Sequence, residues 1–577
     1  MLIPPAVVRW STALAIVLGA TPSAAQRPVG PGDDASVLRP WEFRLRLGTL
    51  WDRAGERFGE NTPGRKNGTL EPLGVDLTVD SLGASRIAGV SALVAPLRLL
   101  SGLPSVTPTF GALRTAIRHD TRVTPLGFDI GLPGRLMLGV YVPFVEARSL
   151  VDVTMNPLRT EGNLAFNPGI DFAAAGTANR TLVAQFDSAT AQLTRAITLC
   201  NTNPTALPNC AAVRANPGAA QTLVADAGAF ANALVQVYGG RTRSGSRYAP
   251  VTGSALQNAI DARIVGFRTA FGALGNSAIA ASSATGAPGV LTVQDFQRLL
   301  TDPEFGTAAA ELRSRVSRGL GDVELSLKGV VFDGIAPTPT EAAAMTAPFG
   351  VRQAVGVTLR LGTGSFESAD DLVDRGTGDG QRDIELASLT DIAWRRWRTT
   401  ALLRWNRQGS DTRPMRITAT PDLLPAPAFT AQTVGRDLGD EITVEIAPRW
   451  RWSEYLSLGT SFGVRRRSAD RYTGRFDVTD DAGAAVTLDA STLDAETEAT
   501  EQRFGLGATY STLPAFDRGN AKWPIDVTYQ HLQTWRGSGG ALSRLSIDVL
   551  QFRWYFRPWG GGRVVATPPV APPRARR

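Results

Sequence analysis

The chain has 577 residues, a formal net charge of +7, two cysteines and two histidines. Its cations are nearly all arginine and form no basic cluster interleaved with aromatics, which argues against a nucleic-acid surface. Four candidate soft ligands are too few for a metal site, and no cofactor is expected.

Mean hydropathy is near zero. Beyond the first residues no apolar run is long enough for a membrane helix, so the mature chain is soluble, peripheral or a membrane β-barrel. Arg9 precedes the apolar run Ser11 to Ala20, and Ser23 and Ala25 stand ahead of Gln26. Residues 1–25 therefore read as a secretory signal cleaved after Ala25, and 26–40 as a periplasmic N-terminal segment. In an exported chain Cys200 and Cys210 are most simply a local disulfide.

Alternating segments begin at "WEFRLRLGTLW" (41–51) and recur near 117–130 and in "RLMLGVYVPFV" (135–145). Residues 41–148 thus carry the first strands, interrupted by a loop insertion, 53–114, with a possible helix near 86–100. Residues 149–318 do not alternate. Leu182, Phe186, Ala189, Leu193 and Ile197 fall on one helical stripe, as do Phe230, Leu234 and Val237, then Ile260, Ile264, Phe267 and Phe271. "TVQD" (292–295) is a capping box ahead of "FQRLL". This is a helical insertion with its own core, placed as an extracellular cap or an inward plug.

Residues 319–559 return to alternation, starting with "DVELSLKGVVF" (322–332) and followed by strands near 351–361, 383–394, 399–406, 441–446, 456–465, 503–510, 525–530 and 545–559. Most are about 10 residues long or slightly more, the length a tilted strand needs to cross a bilayer. About twelve strands result, with fourteen the alternative count. Short connections (131–135, 395–397, 452–455, 513–522) alternate with long polar loops (362–381, 408–438, 467–498), the pattern of periplasmic turns and extracellular loops. Trp394, Trp397, Trp450, Trp452, Trp523, Trp554 and Trp559 gather at the short-connection ends, and Trp51, Trp405 and Trp535 at the other, as two interfacial girdles would. The tail 560–577 is rich in Pro and Arg and reads as disordered.

The alternation then acquires a direction. Val323, Leu325, Leu327 and Val331 face lipid, and the charged faces of the strands line the lumen. These lumen residues are Asp322, Glu324, Lys328, Arg352, Arg360, Asp383, Glu385, Asp391, Arg404, Glu441, Glu445, Arg449, Arg451, Arg465, Arg503 and Asp526. Such mixed charge either lines a narrow polar pore or pairs across the lumen and closes it. Inward Gly356, Gly459, Gly463, Gly505 and Gly507 leave room for a pore or an entering helix.

"GLPGRLMLGVYVPFVEARS", "GLGDVELSLKG", "LRLGTGS" and "TGDGQRDIELA" resemble elements of putative outer-membrane transporters. That group includes a phenol-degradation-pathway outer-membrane protein and is loosely akin to the long-chain fatty-acid channels. The resemblance implies barrel and location, and carries over no functional residue.

No enzyme is expected. No G-x-S-x-G elbow occurs, and neither His119 nor His531 has a serine at a spacing that suggests a pair. "DRGTGDGQRDIE" (374–385) fails as an EF-hand because Gly376 and Gly378 replace oxygen ligands. A looser calcium site among Asp370, Asp371, Asp374 and Asp379 stays open. The reading is an all-β transmembrane antiparallel barrel with a large helical insertion in an extracellular loop. It would sit in outer-membrane lipid, be placed there by the barrel-assembly machinery, and take up an unidentified small solute. A non-transporting surface barrel, whose insertion binds a partner or the envelope, is the runner-up, and a hydrolase is third.

Overall fold

The computed structural model describes residues 34–557 apart from 60–67, 88, 159–161, 339, 418–424, 481–482, 496 and 540–541. The expected signal peptide, the tail and Trp559 lie outside the described residues.

Twelve antiparallel strands close into a barrel. In chain order they are β1 (Phe43–Ala54), β2 (Leu113–Leu132), β3 (Leu136–Met155), β4 (Val323–Asp333), β5 (Gly350–Leu361) and β6 (Asp383–Trp394). They continue as β7 (Trp397–Arg407), β8 (Glu441–Arg451), β9 (Leu456–Arg467), β10 (Ala499–Ser511), β11 (Ile525–Ser538) and β12 (Ser546–Phe556). Each strand pairs with its neighbour in the chain, and the ring shuts where Phe43 of β1 lies opposite Phe556 of β12. Closure removes the unpaired sheet edges that lipid cannot solvate. The twelve segments that alternate in the sequence are these twelve strands.

The period-2 rule sorts side chains as a membrane requires. Leu325, Leu327, Ile384, Leu386, Ile442 and Val444 are exposed on the outer wall, while Arg360, Asp383, Glu385 and Glu441 are buried within. A bulge opposite Gln353 and Ala354 puts both Val331 and Phe332 on the outside. Trp397 and Trp450 are cross-strand partners in edge-to-face contact, with ring centroids 4.8 Å apart. Trp394, Trp452 and Trp523 are exposed beside them, and Trp523 also meets Trp554. This is an aromatic belt at the short-turn rim.

The β2–β3 hairpin is the longest, with 20 residues in each strand. Its turn places Gly134 and Arg135 in left-handed backbone, φ 80° and 62°. Strand β3 has two partners in series, β4 from Tyr141 downward and the short strand Arg315–Leu320 from Phe144 upward. The helical segment is slung from this extended hairpin.

Its main helices are α1 (Val94–Ser101), α2 (Ala173–Thr202), α3 (Pro217–Tyr238), α4 (Ala255–Ala273) and α5 (Val293–Thr301). The 86–100 segment becomes helical only from Ser91, as a 3-10 turn running into α1. Start signals are local: Asn216 and Ser254 cap α3 and α4, and Thr292 with Asp295 forms the capping box of α5. Phe186, Phe230 and Phe267 meet at ring-centroid distances of 5.0 to 5.6 Å in the middle of the bundle. Cys200 and Cys210 are bonded across the end of α2, with Cα atoms 5.1 Å apart.

The same apolar cluster runs on to Ala54, Leu113, Ile117, Met155, Leu532 and Ile547. Five of the six lie toward the long-loop ends of their strands, where the helices pack as a cap, while Leu532 lies mid-strand on β11 and lines the lumen. Residues 34–40 and the β4–β5 connection reach the lumen from the short-turn end, and the loop 362–382 from the other.

Candidate functional site: a closed, charge-filled lumen

The site is the inner face of the barrel, and it is best followed from the long-loop end downward. Arg360 on β5 is almost fully buried among acids from its two neighbours. It donates to Asp383 at 2.9 Å and Glu324 at 3.2 Å, and lies 3.8 Å from Glu385. Arg404 on β7 approaches the far side of Glu385 at 3.6 Å. On the opposite wall Arg465 meets Glu501 at 2.9 Å and Glu441 at 3.7 Å. Arg503 shares Glu501 at 2.7 Å. Glu445 is buried in the same layer.

Two of the inward glycines stand against side chains of the adjacent strand. A Cβ at Gly459 would stand 3.2 Å from Cβ of Arg449, and one at Gly463 would stand 3.1 Å from Cγ of Glu445. The stems of lumen side chains use that space. The cavity among Arg404, Glu445, Arg465 and Arg503 measures only 20 Å³. Of the two arrangements that mixed lumen charge allows, this layer shows the pairing of the second.

The loop 362–382 folds over this layer. Asp322, buried at its rim, accepts from the backbone N–H groups of Gly364 at 2.9 Å and Asp379 at 3.1 Å. Burial, reinforced by Asp383 and Asp322, pushes the Asp379 carboxyl up to about 7. Burial likewise depresses the Arg375 guanidinium, with Asp52 and Glu367 opposing the shift.

The looser calcium site does not form. Asp370 holds Arg416 at 2.7 Å, Asp371 holds Arg315 at 2.6 Å, and Asp374 accepts from Ser317 and from the N–H of Ser368. Among the described residues no three acidic, histidine or cysteine side chains gather as metal ligands would.

The short-turn end is richer in cations. Arg44 and Arg46 of β1 converge on the buried Asp129 of β2, at 2.8 and 2.5 Å. Asp526 accepts from the phenol of Tyr555 at 2.7 Å, Arg352 donates to Asp333 at 2.9 Å, and Arg451 donates to the Thr338 carbonyl at 2.7 Å. Asp391 is fully buried and accepts from Thr400 at 2.7 Å. Asp34, on the segment before β1, reaches Arg398 at 3.3 Å and Arg449 at 3.2 Å, and its carbonyl accepts from Lys328 at 3.0 Å. Burial alone would raise the Asp34 carboxyl, but Arg449, Arg398 and Lys328 hold it well below the carboxylate range. Beneath this group lies a vestibule of 410 Å³.

Six charged strand residues in this network stand outside the sequence-level set: Arg44, Arg46, Asp129, Asp333, Arg398 and Glu501. The first three lie within alternating segments and are legible by the same rule; the other three lie just beyond the ends of theirs. Asp34 lies on no strand and has no periodic signal.

The structure corrects the view of the histidines. Ser149 sits directly across from His119, with its Oγ 3.1 Å from Nδ1. The pair is cross-strand, which spacing along the chain does not show. Ser149 is fully buried. His531 has the opposite complement: Nδ1 lies 2.9 Å from Asp548 on the outer wall, where Arg53 and Tyr529 share that acid. Neither histidine combines nucleophile and acid.

No family model and no curated protein matches the chain. Solved structures that resemble it include an outer membrane channel from Pseudomonas putida F1, at 9% identity over 92% of this chain and 100% of the other, TM-score 0.36. Others are the translocator domain of an autotransporter from Neisseria meningitidis (7%, 92% and 90%, 0.27) and the P. putida toluene transporter (9%, 89% and 90%, 0.23). At these TM-scores the likenesses carry no weight, and the barrel rests on its own strand pairing.

Proposed function

We propose that the chain is a channel of the bacterial outer membrane for passive or facilitated uptake of small molecules. The observation that supports this reading is a lumen lined by ionisable side chains and opening into the 410 Å³ vestibule at the short-turn end. Ion pairs in a lumen can exchange partners with water and solute, which a packed apolar core cannot do. In this reading the long loops and the helical cap face outward, the short turns face the periplasm, and the barrel-assembly machinery inserts the chain. No catalytic step is part of it.

The test is single-channel conductance of the refolded mature chain in a planar bilayer. Discrete conductance steps are the expected result. A silent bilayer, with the barrel shown folded by heat-modifiable mobility, would sink the channel reading. It would favour a surface barrel whose cap binds a partner, the reading that the paired lumen charges also fit.

A further inference from the structure

The second layer of the lumen contains an arrangement that a sheet ordinarily avoids. Arg398 of β7 and Arg449 of β8 are direct register partners on adjacent strands, both pointing inward. Like charges placed opposite each other repel, so a carboxylate between them is stabilising. Lys328 approaches from β4, across the lumen. The fully buried Asp391 is the strand-borne acid beside the two arginines.

The bridging anion in the structure comes from outside the barrel wall. One carboxylate oxygen of Asp34, Oδ2, accepts from both guanidinium groups, at 3.3 and 3.2 Å, while Ser36 donates its hydroxyl to the other oxygen. The segment is not woven into the sheet. It is held from below by Leu38, which packs on Met137 and Tyr555. A tethered carboxylate thus fills a site built by two adjacent strands and a third across the lumen.

The vestibule beside it has the second feature that a ligand needs. Its wall includes Val37, Leu38, Leu513 and Tyr455 next to the arginines, and its 410 Å³ lies at the small end of the range for small-molecule pockets. The wall is mainly polar, with Glu42, Glu454 and Asp526 as well as arginines, and these few apolar side chains give a small organic body a place beside the cationic anchor.

We propose that Arg398, Arg449 and Lys328 form a binding site for small organic carboxylates, and that Asp34 occupies it as an internal competitor. As a statement about solute class this rests on the channel reading; as a statement about binding it does not. Entry of a solute carboxylate replaces Asp34 charge for charge, so the arginines are never left facing each other unbridged.

The experiment uses the mature chain in detergent, with benzoate as probe and benzyl alcohol as its uncharged counterpart. Binding is read from broadening of the aromatic proton resonances against empty micelles. Asp34→Asn changes one side chain outside every strand and removes the competitor. It is expected to tighten benzoate binding about tenfold, the equivalent of about 1.4 kcal/mol. Adding Arg398→Gln and Arg449→Gln is expected to abolish the gain. Unchanged benzoate binding in Asp34→Asn would overturn the proposal. So would benzyl alcohol binding as well as benzoate in every variant.

Bilayer recordings on the same proteins separate the two readings. Benzoate binding over a silent bilayer would overturn the channel and leave the site standing. Conductance in a protein whose Asp34→Asn variant binds benzoate no tighter would overturn the site and leave the channel.

Discussion

The cap and the barrel solve burial in opposite senses. In α2 the stripe Leu182, Phe186, Ala189 and Leu193 turns inward, and polar residues meet water. In β6 the apolar Ile384, Leu386 and Ile392 turn outward, while Asp383, Glu385 and Asp391 are buried. The helical stripe and the strand alternation obey the same rule, that apolar surface leaves water. What differs is where water is absent: inside the cap, but outside the barrel. A single chain therefore carries an apolar core held by dispersion and area, and a polar core held by paired charge.

Truncation inside each core breaks the comparison hardest. Phe230 is fully buried and touches both Phe186 and Phe267. Phe230→Ala is expected to cost the cap about 3–5 kcal/mol. Urea should then release the cap earlier, seen as protease sensitivity of α2 to α4, while the barrel keeps its heat-modifiable mobility. Simultaneous loss of both would show that the cap and the barrel fold as one unit.

Arg360→Met is the matching lesion in the lumen. It leaves the buried Asp383 and the half-buried Glu324 without their cation, a loss of about 3–5 kcal/mol on the scale of broken buried pairs. Urea unfolding in lipid vesicles measures it, and adding Asp383→Asn should recover part of the loss. If Arg360→Met were neutral, the lumen charges would be solvated rather than paired.

A smaller effect is expected on the lipid face. Leu327 is exposed near the middle of β4. Leu327→Arg should cost about 2–4 kcal/mol in a bilayer, as cations do at the midplane of membrane barrels. The same change in a soluble sheet surface would be close to neutral. An insensitive Leu327 would mean that this wall does not face hydrocarbon.

The two cores were also unequally legible. Period 2 located every strand, and the membrane-length strands with girdle tryptophans gave the direction of the faces. Helical stripes marked the cap core, down to Phe186, Phe230 and Phe267. Partner choice within the lumen was a different matter, because it depends on register between strands. Register is set by turns: Leu132 opposite Leu136 at the β2–β3 turn fixes His119 opposite Ser149. That pair was readable only after the turn had been centred on Gly134. Asp34 was beyond reach altogether, since its place under Arg398 and Arg449 follows from tertiary docking of a segment with no period.

The smallest expected effect concerns the loop that joins the two regions at the barrel mouth. Asp379 lies half-buried on 362–382, where desolvation and the neighbouring Asp383 and Asp322 push its carboxyl up to about 7, above the ordinary carboxylate range of about 4. A raised folded-state value means that closing the loop takes up a proton. Its contribution to closure is therefore complete below the ordinary value and is lost as pH rises through about 7. Amide exchange across 362–382, corrected for the intrinsic rate, should speed up between about pH 5 and pH 8. Asp379→Asn, which keeps the shape and cannot ionise, should flatten that rise while leaving exchange in the helices of the cap unchanged. A slope that survived in the variant would assign the titration to the carboxylates of the strands below. The acidic layer of the lumen, and not the loop, would then be the part of the molecule that senses pH.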